Sequence, residues 1–264
     1  MTKALKPNEL RDLGLVLPSS PSRMRYVVVG SFGEGSCYYH TIVRALYHHE
    51  VPVHPVSDKP FLAAAKEKKK KSTASKGGVR TVPLHRWLGL KGKAFAKLSP
   101  RQQRAAGLRL RKRLGNEPGF CAHFDAMLRD IGREERTHTL AETAGTQCPT
   151  VQKNMRRSSE WGDTFAISYA GWRLKFNQLF VYDRKRPYCG ITRTVYPATV
   201  IVHWHAYAHF EGVAARLDAG DADTGVKLQF VFEPTDPLVR YLMDVYASCS
   251  INHEGLMKNI MVTK

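Results

Sequence analysis

Residues 27–47, VVVGSFGEGSCYYHTIVRALY, constrain the chain to a strand, a tight turn and a helix in immediate succession. β-Branched residues dominate 26–29 and predict the strand, and Gly30, Gly33 and Gly35 mark the loop. From Ser36 the period changes. Tyr39, Ile42, Val43 and Leu46 recur at three- and four-residue spacing and line one helical face. Cys37 opens that helix, where unpaired backbone N–H groups and the helix dipole favour an anion. The position suits an activated thiolate. The amides of Glu34, Gly35, Ser36 and Cys37 suit an oxyanion, because glycines at 33 and 35 leave no side chain in the way of a carbonyl. The same cysteine also reads as an inert buried thiol, the commoner fate of an isolated one. A phosphate cradle fits less well: the glycine spacing is not that of a dinucleotide fingerprint, the Gly-Lys-Ser/Thr of a P-loop is missing, and Glu34 would repel phosphate.

The rest of the chain supplies further strands and helices. Ser99-Pro100-Arg101-Gln102 carries a cap serine, a proline at the first helical position and a glutamine placed to complete a capping box, which predicts a basic helix to about Leu114. Trp161-Gly162-Asp163 reads as a capped turn before a helix with an aromatic stripe at Phe165, Tyr169, Trp172 and Phe176. Strands are predicted at 179–182, 199–204 and 226–232, and Pro237 opens a final helix through about Tyr246. This mixture predicts an α+β layered fold. At 264 residues and 43% hydrophobic the chain can bury a sizeable core. The expected division is a leader at 1–24, a main domain at 25–217 and a strand–helix extension at 218–264 packed on that domain.

Charge and cysteine usage exclude several classes. The formal net charge is +18, and from Lys66 to Lys71 the run KEKKKK leads into a Ser- and Gly-rich stretch. Residues 58–80 therefore read as a solvated loop insertion, with polyanion contact through Lys66–Lys71 as the sharper alternative. Five cysteines at 37, 121, 148, 189 and 249, with no CxxC, argue against a disulfide framework or zinc ribbon and predict reduced, intracellular thiols. Without an apolar signal segment or a membrane-length apolar run, neither secretion nor a membrane partner is expected.

A thiol nucleophile needs a base, and TVIVHWHAYAHFEGVAARL at 199–217 offers three histidines. His203 and His205 alternate on the predicted strand, while His209 follows it with Glu211 two residues on. In extended chain that spacing puts Glu211 on the same side as His209, as an orienting carboxylate. His203 and His205, with His209 and Glu211, also suggest a strand-borne metal site, though the gap from His205 to Glu211 is long for one. Trp161 and Trp204 fit a groove wall but read more readily as core.

These stretches together resemble the ovarian-tumour (OTU) family of cysteine proteases, which are deubiquitinases. The family's nucleophile motif, Gly-Asp-Gly-Asn/Ser-Cys-Leu/Phe-Phe/Tyr-His/Arg, is similar to Gly33-Glu34-Gly35-Ser36-Cys37-Tyr38-Tyr39-His40, with glutamate for aspartate. Its histidine motif is similar to His209-Phe210-Glu211, and its Trp-Gly turn before a helix and strand is similar to residues 159–163 followed by 180–183. The resemblance implies a papain-like arrangement, with the Cys37 helix packed on a central mixed sheet that carries His209. It implies a thiol protease whose catalytic set is Cys37, His209, Glu211 and Glu34, acting without metal or cofactor. The substrate it implies is ubiquitin or polyubiquitin, with ubiquitin-like modifiers in reach, and the setting it implies is cytoplasmic or nuclear. A basic nucleic-acid-binding protein on an inactive protease scaffold is the alternative outside enzymes.

Overall fold

The computed structural model describes residues 4–15, 17, 24–33, 35–53, 80–90, 92–130, 147–157, 164–182, 196–205, 209–217 and 227–250. The Lys66–Lys71 run, Glu34, Trp161 and Asp183 lie outside them. Among the described residues the fold is α+β. Strands β1 (Leu10–Asp12), β2 (Met24–Val29), β7 (His209–Leu217), β6 (Thr199–His205) and β5 (Asn177–Tyr182) lie side by side in that order. β8 (Lys227–Gln229) adds to β7, and β9 (Val231–Phe232) adds to β6. The β5–β6 pair is parallel and the others are antiparallel, so the sheet is mixed. A separate hairpin joins β3 (Glu50–Pro52) to β4 (Thr81–Pro83).

The period-two alternation of strands assigns each face. Val200, Val202 and Phe210 point to the larger core, which is shared with α1 (Cys37–Leu46), α2 (Leu84–Trp87), α3 (Pro100–Gly115), α4 (Gly119–Asp130), α5 (Cys148–Arg156) and α6 (Thr164–Leu174). Ile201 and Val213 point the other way, onto Leu238, Val239 and Leu242 of α7 (Pro237–Ser250). The predicted leader and extension thus both contribute to the sheet or its cover: β1 extends one edge, β8 and β9 pair with β7 and β6, and α7 closes the second face.

Helix α1 is the centre of the larger core, with nine of its ten residues buried. Its approach to α3 is close enough that a Cβ on Gly107 would meet the His40 ring, so glycine is required there. The capping box at Ser99 forms as expected: Ser99 Oγ accepts from the Gln102 amide at 3.3 Å, and Gln102 Oε1 accepts from the Ser99 amide at 2.9 Å.

Three local readings change. The aromatic stripe stops short, because Lys175 at φ +60° ends α6 before Phe176, and Trp172 is 41% exposed and stacks on His123. The 226–232 strand divides at Phe230 into β8 and β9, which serve different neighbours. The third change is chemical: Cys121 and Cys148 form a disulfide, where reduced thiols were expected. Their separation of 27 residues gives no local signal; the packing of α4 against α5 brings them together. Closing a loop of that length restricts the unfolded chain, so Cys121→Ser is expected to cost about 3–4 kcal/mol. Urea unfolding with and without dithiothreitol checks this: reductant should lower the wild-type midpoint to that of the variant and leave the variant unmoved.

Candidate active site

Cys37 is the first residue of α1, and its side chain is 1% exposed. The turn before it depends on Gly35 at φ +71°, a conformation open to glycine at little cost. Ser36 caps the helix by backbone position alone, with no side-chain capping bond. The first-turn amides are therefore not taken up by a Ser36 cap. Those of Cys37 and Tyr38 act on the Cys37 sulfur, and the amide of Phe210 donates to Sγ at 3.4 Å. Burial pushes the thiol's pKa up. The three amides and the charge of Arg111 oppose that shift without cancelling it, so the resting group is a thiol.

His209 begins β7, one residue before the amide that touches Sγ. Its Nε2 lies 3.4 Å from Ser31 Oγ, and Ser31 Oγ donates to the Phe210 carbonyl at 2.5 Å. With the hydroxyl proton committed to Phe210, Ser31 Oγ is left to accept from Nε2–H. That arrangement fits the neutral tautomer in which Nδ1 is the acceptor. The Phe210 carbonyl also accepts from Thr41 Oγ1 of α1 at 3.5 Å. Through its amide and its carbonyl, Phe210 of β7 is thus tied to Cys37, to Thr41 of α1 and to the preceding turn. Burial lowers the pKa of His209; the Glu211 charge raises it, and His205 and His203 lower it further.

Glu211 is fully buried, and its bonds run elsewhere than to His209. Among the described residues its carboxylate accepts from His203 Nδ1 at 3.1 Å, from the Leu5 amide at 2.8 Å and from Arg11 Nη2 at 3.5 Å. The register explains the difference: His203 is the residue directly opposite Glu211 across the β6–β7 pair. Directly opposed Cβ atoms are about 5 Å apart, closer than residues two along a strand, at about 6.6 Å. Glu211 therefore bears on His209 through its charge, while its hydrogen bonds fasten the N-terminal segment to the sheet. His203 and His205 share a face, with ring centroids 6.1 Å apart. Among the described residues, however, no group of three His, Cys, Asp or Glu side chains is placed to hold a metal ion. Trp204 stacks on Phe210 at 5.7 Å and packs against the larger core.

Sequence reasoning passed over Ser31 and the main chain of Phe210. Ser31 stands in a Gly-Ser-Phe turn with nothing to distinguish it, and a backbone amide leaves no trace in residue identity. Glu34 remains an expectation from the motif alone.

No protein-family model matches the sequence, and no curated protein matches it. Solved structures with a similar chain path include an ovarian-tumour (OTU) domain in complex with ubiquitin, at 10% identity and TM-score 0.42 over 96% of each chain. Others are the viral OTU domain protease of Taggert virus, at 8% identity and TM-score 0.38 over 75% of this chain and 91% of that one, and the Hazara virus OTU bound to ubiquitin. The Hazara virus domain is 12% identical, with TM-score 0.37 over 76% of this chain and 96% of that one. Identities this low carry no residue roles across.

Burial alone would raise the Glu211 carboxyl. His203, the Leu5 amide and the charge of Arg11 outweigh it and hold the pKa below the ordinary carboxylate value. A depressed folded pKa stabilises above the unfolded pKa, and that stability is lost as pH falls through the folded one. Glu211→Gln is expected to cost about 1–3 kcal/mol at pH 7, with the gap to wild type closing below about pH 4. Denaturant titrations at pH 7 and pH 3.5 measure it; a pH-independent gap would reject the ionised carboxylate as its source.

Proposed function

We infer that the protein is a thiol-dependent deubiquitinase of the OTU type, in which Cys37 is the nucleophile and His209 its base. One observation carries the reading most strongly: the peptide that follows His209 donates to Cys37 Sγ, while Ser31 Oγ lies 3.4 Å from the imidazole Nε2. His209 takes the proton from Sγ, and the thiolate attacks the carbonyl of the ubiquitin C-terminal glycine. Amides at the start of α1 stabilise the oxyanion. Collapse expels the lysine amine, which His209 protonates, leaving a thioester on Cys37. Water deprotonated by His209 then hydrolyses the thioester and frees ubiquitin. In this reading Ser31 supplies the orientation that a carboxylate supplies elsewhere, and Glu211 supplies field. The proposed substrate argues for a cytoplasmic or nuclear setting, and the Cys121–Cys148 disulfide argues against one, since such bonds are rare there.

Ubiquitin carrying a C-terminal electrophile tests nucleophile and recognition together. One ubiquitin should add to the wild type and none to Cys37→Ala, and His209→Ala should abolish turnover of a ubiquitin amide. Ser31→Ala should lower kcat about tenfold with KM little changed, because it loosens the base without touching the substrate. Labelling that persists in Cys37→Ala sinks the assignment. Because burial lowers His209, its neutral form persists below the ordinary imidazole value. The acid limb of kcat/KM should therefore lie below about pH 6.5. A limb above pH 7 would remove His209 as the base.

A further inference from the structure

Helix α3 reads from its sequence as a basic helix, yet one of its arginines is fully buried: Arg111 is 0% exposed. Its guanidinium lies between two helix ends. Nε donates to the Met155 carbonyl at 2.5 Å and Nη2 to the Asn154 carbonyl at 3.3 Å, both in the last turn of α5. Nη1 donates to the Gly35 carbonyl at 3.0 Å and to Ser36 Oγ at 3.3 Å, in the turn that delivers Cys37. The guanidinium carbon lies 5.4 Å from the Tyr39 ring centroid, so it also packs on α1.

We propose that Arg111 is a positioning residue for the nucleophile, holding the Gly35–Ser36 turn so that the first amides of α1 face Sγ and placing a buried cation beside the forming thiolate. Carbonyls of a helix's last turn lack intrahelical donors and attract a cation, which anchors the guanidinium on α5. Once anchored, its planar fork fixes the direction of the remaining N–H groups, which lysine cannot reproduce. Gly35 is the conformationally free residue of this turn, and its carbonyl is the atom held. The Arg111 charge also opposes the effect of burial on the thiol, in the same sense as the three amides. Cys121–Cys148 braces the other end of α5, so the anchor is itself tied to α4.

The inference rests on Cys37 being the nucleophile, and alkylation separates it from the substrate assignment. Iodoacetamide modification of the folded full-length protein is followed by mass spectrometry at the Cys37 peptide across about pH 7–11.5, a range that reaches a raised thiol, with matched thermal melts. In Arg111→Met the inflection should rise by about one pH unit, with Cys37 alkylation at pH 7.5 slowed about tenfold. Arg111→Lys should keep the inflection near the wild-type value, yet react about tenfold more slowly with the ubiquitin electrophile, because charge returns without the fork. A folded Arg111→Met protein with the wild-type inflection overturns the proposal. If that variant does not fold, Arg111→Lys decides: a wild-type rate with the ubiquitin electrophile overturns it. A shifted inflection in Arg111→Met with no ubiquitin labelling of the wild type would reject the deubiquitinase reading and leave the role of Arg111 standing.

Discussion

Packing of helix α1 into the sheet face that carries Phe210, Val202 and Val200 is the constraint on which the site depends. A helix buried along nine of its ten residues cannot shift along its axis without disturbing the layer above it, where His40 fills the space that Gly107 leaves. The axial position of α1 sets the height of Cys37 relative to β7. That height lets the Phe210 amide reach Sγ. Apolar burial and backbone geometry therefore place Cys37 beside the strand that begins with His209, and no direct bond between the two side chains is needed to do it.

Electrostatics then acts on groups already in place. Burial works against charge on both partners, raising the Cys37 pKa and lowering that of His209, so the pair rests as thiol and imidazole. Amides from two elements and a buried guanidinium counter this on the sulfur side, and the Glu211 charge counters it on the ring side. These contributions favour the thiolate–imidazolium pair, the form from which the proposed acyl transfer would begin. Substrate that excludes the remaining water would strengthen each of them.

The N-terminal segment belongs to this balance. Leu5 and Arg11 satisfy the carboxylate of Glu211 together with His203, and Asn8 Oδ1 accepts from Arg44 of α1 at 2.6 Å. A segment that composition sets aside as a leader supplies hydrogen bonds to two buried charged groups, Glu211 on β7 and Arg44 on α1. Buried charges need such partners, which gives β1 and the residues before it a structural reason to stay bound to the sheet.

By itself the sequence determined the local units. The change of period at Ser36, the glycines at 33 and 35, the Ser99 capping box and the β-branched run of β6 all encode short-range preferences, so the strand, turn and helices were legible. Cysteine at a helix start and histidine in a distant extended segment were legible as candidates for the same reason. Tertiary structure decided the partners. Glu211 faces His203 because of strand register, Ser31 meets His209 because β2 and β7 are paired neighbours, and Cys121 meets Cys148 because α4 packs on α5. Arg111, on a helix that the sequence marks only as basic, is buried because α5 and the Gly35 turn close over it. Each of these contacts joins residues whose proximity depends on how whole elements pack, and residue spacing along the chain carries no record of it.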